Sequence, residues 1–299
     1  MYFCTIFVGF ERTSNITTMR KNLFIALGAL VSSLLFTTGC LHTSQESGSM
    51  DYDSLATDSV PEDSISQIVE ETPMPVAADE LFDDFFFNFA ASHKVQKERV
   101  AFPLPVDNFG KQSVIEEGQW RRERFFTSQG YYTLIFNDYK QTRLVKDTTV
   151  SDVTVERIAI PKGVVTRWHF ARSRGLWHMD GMTKMSIKKH PDAAFLKFYE
   201  HFATDSAFQQ ESLCDPVIFV GPDPDDDFST MTGELMPEQW PMFAPWLPSD
   251  VIYNIIYGVE PYPKTNFRVM FLRGISNGQE MEMQFVKLQG QWRLKKIST

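Results

Sequence analysis

The chain matches itself, and that duplication limits what it can fold into more than any other feature. Phe82, Phe85, Phe89, Ala90, Gln96, Glu98 and Pro103 recur as Phe195, Phe198, Phe202, Ala203, Gln209, Glu211 and Pro216, each pair 113 residues apart. Phe86/Tyr199, Val100/Leu213 and Ala101/Cys214 are similar pairs in the same register. Further on, Gln119-Trp120 recurs as Gln239-Trp240, and Tyr132, Leu134, Phe136 as Tyr253, Ile255, Tyr257. Phe170, Gly175, Trp177 and Met179 recur as Phe285, Gly290, Trp292 and Leu294. The offset drifts from 113 to 121 and back to 115, as loops of unequal length require. So long a period marks a duplicated domain, because solenoid repeats run only roughly 20–50 residues.

Each copy opens on an apolar helical stripe. Phe82, Phe85, Phe86 and Phe89 fall at i, i+3, i+4 and i+7, and Phe195, Phe198, Tyr199 and Phe202 repeat the spacing. Pro191 sits near the first helical position, where its missing N–H costs nothing, and Ser206 and Gln209 stand at capping-box spacing for a second short helix. Strands then dominate. Asn277-Gly278 predicts a two-residue hairpin that sets Leu272 opposite Met283 and Met270 opposite Phe285. Two-residue turns at Arg174-Gly175 and Gln289-Gly290 set Phe170 opposite Met179, His169 opposite Asp180, and Phe285 opposite Leu294.

Ahead of the duplication, Met19-Arg20-Lys21-Asn22 and the apolar run Leu23 to Phe36 have the parts of a secretory signal. The run is short for a spanning helix, which needs about 20 apolar residues. Thr37-Thr38-Gly39-Cys40 resembles a bacterial lipobox, with Thr37 where Leu is usual, and implies lipidation of Cys40. Residues 1–18 read as an over-extended start, 1–40 as the leader, and 41–78 as a disordered acidic tether without Lys or Arg up to Ala78. Residues 79–189 and 190–299 are then the two α+β repeats. With Cys4 and Cys40 in the leader, only Cys214 remains, so no disulfide framework is expected. The net charge of −9 argues against nucleic acid, which selects a basic footprint.

Two helices followed by a curved antiparallel sheet, closed by a Phe…Gly-x-Trp hairpin, resembles the cone-shaped fold of the nuclear-transport-factor and ketosteroid-isomerase superfamily. Tandem copies behind a lipoprotein leader also look like a Bacteroidetes family of uncharacterised envelope lipoproteins. The resemblance covers about Asp79 to Thr299 and rests on "FDDFFFNFA", the Gln-Trp pairs and the ends "RGLWHM" and "GQWRLKKI". It implies two tandem α+β cones and no particular reaction, since this fold hosts enzymes and pure binders alike.

Three candidate sites follow. The first is a cone pocket with aromatic walls. Trp168, Arg172 and Trp177 share a strand face in the first copy, with Trp292 on its counterpart, while Trp120 and Tyr132, or Trp240, Tyr253 and Tyr257, close the mouth. The bland alternative is that these aromatics fill the core. The second is His169 with Asp180, read as a half-exposed cross-strand pair because the other copy has no equivalent. The third is Asp223, Asp225, Asp227, Ser229 and Glu234 at calcium-loop spacing, with Phe228 where that loop needs Gly; a solvated acidic loop is the preferred reading.

No cofactor or metal is expected. The preferred function is non-catalytic: an exported lipoprotein in the cell envelope, anchored to the outer membrane and facing the periplasm, binding a small apolar ligand or another envelope protein. An isomerase, dehydratase or hydrolase confined to the first cavity, and a scaffold with filled cores, are the alternatives. An isomerase of this superfamily needs a carboxylate base in an apolar cavity, and none stands at the inward strand positions.

Overall fold

The structure, a computed structural model, describes residues 73–258, 265–275 and 277–299, apart from the side chains of Val76 and Asp227. The leader, Cys40 and most of the acidic stretch lie outside the described residues. Helix α1 spans Phe82–Ala91 and α2 His93–Arg99; strands β1 to β6 span Leu104–Asn108, Lys111–Ile115, Tyr131–Phe136, Asp152–Ala159, Val164–Ser173 and Leu176–Ser186. The second half repeats the order with α3 (Ala193–Thr204), α4 (Ser206–Glu211), β7 (Leu213–Asp223), β8 (Asp226–Leu235), α5 (Trp240–Phe243), β9 (Val251–Tyr257), β10 (Phe267–Gly274), β11 (Glu280–Leu288) and β12 (Gln291–Ser298).

All the strands join one sheet in the order β2-β1-β6-β5-β4-β9-β3-β10-β11-β12-β7-β8. This order is a palindrome: strands six apart in number stand at mirrored places. The third strands are the exception to locality. β9 pairs with β4 of the first half, and β3 pairs with β10 of the second. The expected picture of two separate antiparallel sheets is therefore corrected. The sheet is continuous across 189/190, and β1–β6, β7–β12 and β3–β9 pair in parallel.

The exchange explains the sequence of the central strands. β3 buries Tyr132, Leu134 and Phe136 in the core with α1 and turns Ile135 to the core with α3. β9 likewise divides Tyr253, Ile255 and Tyr257 from Ile252. With both faces covered, neither run alternates apolar with polar. The register also corrects the sequence alignment here. Val155 pairs with Ile255 and Met270 with Ile135, while Val155 and Met270 are themselves matched at offset 115. Ile255 therefore matches Ile135, an offset of 120 rather than 121. That single slip moves each side chain to the other face.

Elsewhere the halves match closely. Each final hairpin closes on a two-residue turn, with φ of 53° and 82° at Arg174-Gly175 and 50° and 84° at Gln289-Gly290. Phe170 faces Met179 and Phe285 faces Leu294, as the sequence predicts. A bulge follows at His169/Phe170 and again at Gln284/Phe285, so Gly181, not Asp180, stands opposite His169. The Asn277-Gly278 hairpin has a longer loop: Leu272 faces Met281 and Met270 faces Met283, a shift of two that keeps each side chain on its expected face. The cap of α4 is Asp205, which accepts from Ala207 and Phe208, rather than Ser206; Ser92 caps α2 at the matching place.

Candidate functional site

The concave side of the first half is partly filled and partly open. Near α1 it is solid. Phe170 sits 5.3 Å from Phe82 and 5.3 Å from Phe89, Trp177 is buried 5.1 Å from Phe82, and the Trp177 amide donates to Asp79 Oδ1. Trp292 repeats this packing, 5.3 Å from Phe195 and under the Arg268 guanidinium at 5.2 Å. Arg172 is engaged with backbone carbonyls. Its guanidinium donates to the Thr148 and Glu80 carbonyls and ties a loop to the start of α1. Tyr132 stacks on Phe126 at 4.9 Å, and Tyr257 donates to Asp83.

The Gln-Trp pairs are structural in both halves. Gln96 Nε2 donates to the Phe89 carbonyl at the end of α1, while its Oε1 accepts from Trp120 Nε1 at 3.2 Å. Gln209 does the same with Phe202 and Trp240, at 2.9 Å and 2.7 Å. The neighbouring Gln119 and Gln239 accept from the amides of Glu116 and Met236, closing equivalent turns. The indole N–H groups of Trp120 and Trp240 are thus already satisfied inside the protein.

Beyond Trp168 the concave side opens as a cleft of about 560 Å³. Its floor is a row across four strands, in which Tyr253 pairs with Arg157, Arg157 with Thr166, and Thr166 with Lys184. Behind that row stand Trp168 and Met182, and Phe125 packs on Trp168 at 4.9 Å. The loop carrying Trp120, Arg121, Glu123 and Arg124 forms the opposite wall. Three of the sequence-predicted residues, Trp120, Trp168 and Tyr253, therefore meet here, and Arg172, Trp177, Tyr132, Tyr257, Trp240 and Trp292 do not. The sequence reading missed the cations. Arg121, Arg124, Arg157 and Lys184 face one lining carboxylate, Glu123, and none of the four is within ion-pair distance of a carboxylate among the described residues. Burial pushes the Tyr253 hydroxyl up to about 12, against the pull of Arg157, so it stays a neutral donor.

The palindrome supplies a counterpart cleft of about 650 Å³ beside Tyr131, Trp246, Leu272 and Met281. At the matched offsets, Leu272 replaces Arg157, Met281 replaces Thr166 and Thr299 replaces Lys184. Pro241 and Ala244 replace Arg121 and Arg124.

The other candidates stand apart. His169 Nδ1 lies 2.6 Å from Asp180 Oδ1 on the outer face, and that hydrogen bond raises the imidazole above its ordinary value. Asp223 Oδ1 accepts from the Asp225 amide at the β7–β8 tip. Glu234 lies eight residues beyond Asp226 on the extended β8, about 26 Å away, so the calcium-loop spacing cannot close. Among the described residues no group of side chains is arranged to hold a metal. Cys214 is half-buried, and burial pushes its thiol up.

Helices laid on both faces of a curved sheet with an open concave end define an α+β protein of the nuclear-transport-factor-like class. A crystal structure of an NTF2-like protein from Bacteroides fragilis is 38% identical with a TM-score of 0.68, and the match covers 76% of this chain and 98% of that one. Residues 61–299 match the family described as a domain of unknown function, DUF4348, and the chain belongs to that family. A comparison with curated proteins finds no match.

Proposed function

We propose that this protein is an exported lipoprotein of the cell envelope that binds a small molecule, without catalysis, in the cleft of its first half. In this reading the chain carries two copies of one cone domain that have exchanged their third strands. A lipid on Cys40 and the acidic stretch after it hold the pair at the outer membrane, facing the periplasm. The observation that carries the binding role is the cleft itself: an open space floored by Tyr253, Arg157, Thr166 and Lys184 beside an otherwise filled core. The half-buried carboxylate Asp83 is held by Tyr257 outside the lining of the cleft, which favours binding over acid–base chemistry there.

The test is a thermal-shift screen against lipids, sterols, sugars and small organic acids, repeated with Ser128→Trp. Ser128 is exposed on the cleft lining, so an indole there blocks the space without disturbing the core. A stabilising compound whose effect vanishes in the variant is the expected result. The same stabilisation in the blocked protein would sink the reading. Lipidation is tested separately: Cys40→Ser should release the protein from membranes, and continued membrane association would refute the anchor.

A further inference from the structure

Resting on the binding role proposed for the same cleft, we infer that its ligand is a small organic anion, a carboxylate, sulfonate or phosphate, joined to a flat apolar body. The comparison of the two clefts carries the inference. They sit at equivalent places in the palindrome and are built by equivalent strands, so folding alone demands no charge at either. The second accommodates Leu272, Met281 and Thr299 in its row. The first places Arg157 and Lys184 there, two strands apart with the Thr166 hydroxyl between them. Neighbouring strands lie about 4.8 Å apart, which sets the two cations about 10 Å from each other at their Cα atoms. Long side chains at that separation can converge on one anionic group.

Arg121 and Arg124 add two more cations from the facing loop. The chain as a whole is acidic at −9, so concentrating unpaired cations in one concavity runs against its own average. Low-dielectric walls around such a cleft focus the field and raise the local concentration of anions. The Thr166 and Tyr253 hydroxyls supply neutral donors beside the charges. Phe125 and Trp168 are buried behind the row, so the apolar contact open to a ligand comes from the half-buried Met182 and from the guanidinium planes of Arg121, Arg124 and Arg157, which can stack on a planar group. A bare inorganic anion would leave the guanidinium faces and Met182 unused, and a neutral lipid would leave the cations unpaired.

The experiment uses two probes of one shape, 2-naphthoate and 2-naphthylmethanol, titrated calorimetrically into the full chain. The naphthoate should bind about ten-fold more tightly or better at low salt, and the difference should shrink as salt rises. Arg157→Leu with Lys184→Thr installs residues found at matching positions of the second half, and Arg121→Ala with Arg124→Ala clears the loop. Either double variant, checked for an unchanged unfolding transition, should erase the preference for the anion. Equal or tighter binding of the alcohol would overturn the anion assignment while leaving the cleft a binding site. Anion-selective binding untouched by both double variants would place the anion elsewhere and defeat the cleft reading itself. Binding of neither probe overturns the inference as well.

Discussion

Glu156 and Asp83 are both carboxylates drawn into the protein, yet their surroundings move them in opposite directions. Burial alone would push Glu156 up. His190 Nε2 at 2.8 Å, Arg167 Nε at 3.1 Å and Asn254 Nδ2 at 3.2 Å outweigh burial and hold it below the usual carboxylate range. Its contribution to stability is therefore present above the unfolded-state value and lost as the pH falls through the folded one. Glu156→Gln should cost about 3–5 kcal/mol at neutral pH, because the largely buried Arg167 guanidinium then faces an amide in place of its carboxylate. The gap from the parent protein should narrow toward acid, and urea unfolding across pH checks this; a pH-independent gap would count against it. For Asp83, burial outweighs the Tyr257 hydrogen bond and the Arg273 charge, and the carboxyl is raised. The sign reverses: its contribution is full below the unfolded-state value and is lost as pH rises through the folded one. Asp83→Asn, which can still accept from Tyr257, should raise the melting temperature at neutral pH and leave it unchanged in acid. A lowered melting temperature at neutral pH would show that the ionised carboxylate is needed.

Among the elements, the Gln-Trp pairs do the same work twice. Gln96→Ala removes donors to the Phe89 and Glu123 carbonyls and strands the Trp120 indole N–H, at about 1–3 kcal/mol for a buried group left unpaired. A double-mutant cycle with Trp120→Phe should show coupling, and Gln209→Ala with Trp240→Phe should couple with the same sign. Additive effects in either pair would mean that the indole contact carries no energy. Both Phe stripes and both Gly turns were visible in the sequence, since each depends on residues close along the chain. Gln96/Gln209 and Trp120/Trp240 were visible as recurrences, but not the bond between the Gln and the Trp of each half. Where both faces of a strand are buried, periodicity fails as a guide. Tyr131–Phe136 and Val251–Tyr257 offer an apolar side chain in nearly any register, and the identity-based match of Tyr132 with Tyr253 is one residue off. Strand exchange left no local mark at all. In the site, the aromatics were legible as wall material, but Arg121, Arg124, Arg157 and Lys184 were passed over. Their signal was the lack of a counterpart, which becomes readable only once the strands are in register.

For the whole molecule, the exchange makes each half dependent on the other. Val155 packs beside Ile255, and Met270 beside Ile135, so neither core is complete without a strand from the far side of residue 190. At the centre β3 and β9 make a single parallel bridge, Thr133 to Asn254. Side chains complete the seam: Thr133 Oγ1 donates to the Tyr253 carbonyl at 2.7 Å, and Asn254 Oδ1 accepts from the Ile135 amide at 2.8 Å. Asn254 also holds Glu156, so the seam and the buried ion cluster are one network. Such a protein should unfold as one cooperative unit, with a denaturant slope set by the surface of both halves together. Cutting the chain between Lys189 and His190 tests this. The first piece lacks β9, leaving the outer edge of β4 and the faces of Val153 and Val155 open, and the second piece lacks β3 beside β10. Neither piece alone should show a cooperative transition by circular dichroism, and mixing them should restore a single one. A first piece that folds by itself as a monomer would show that the two halves are separate domains whose shared sheet is incidental.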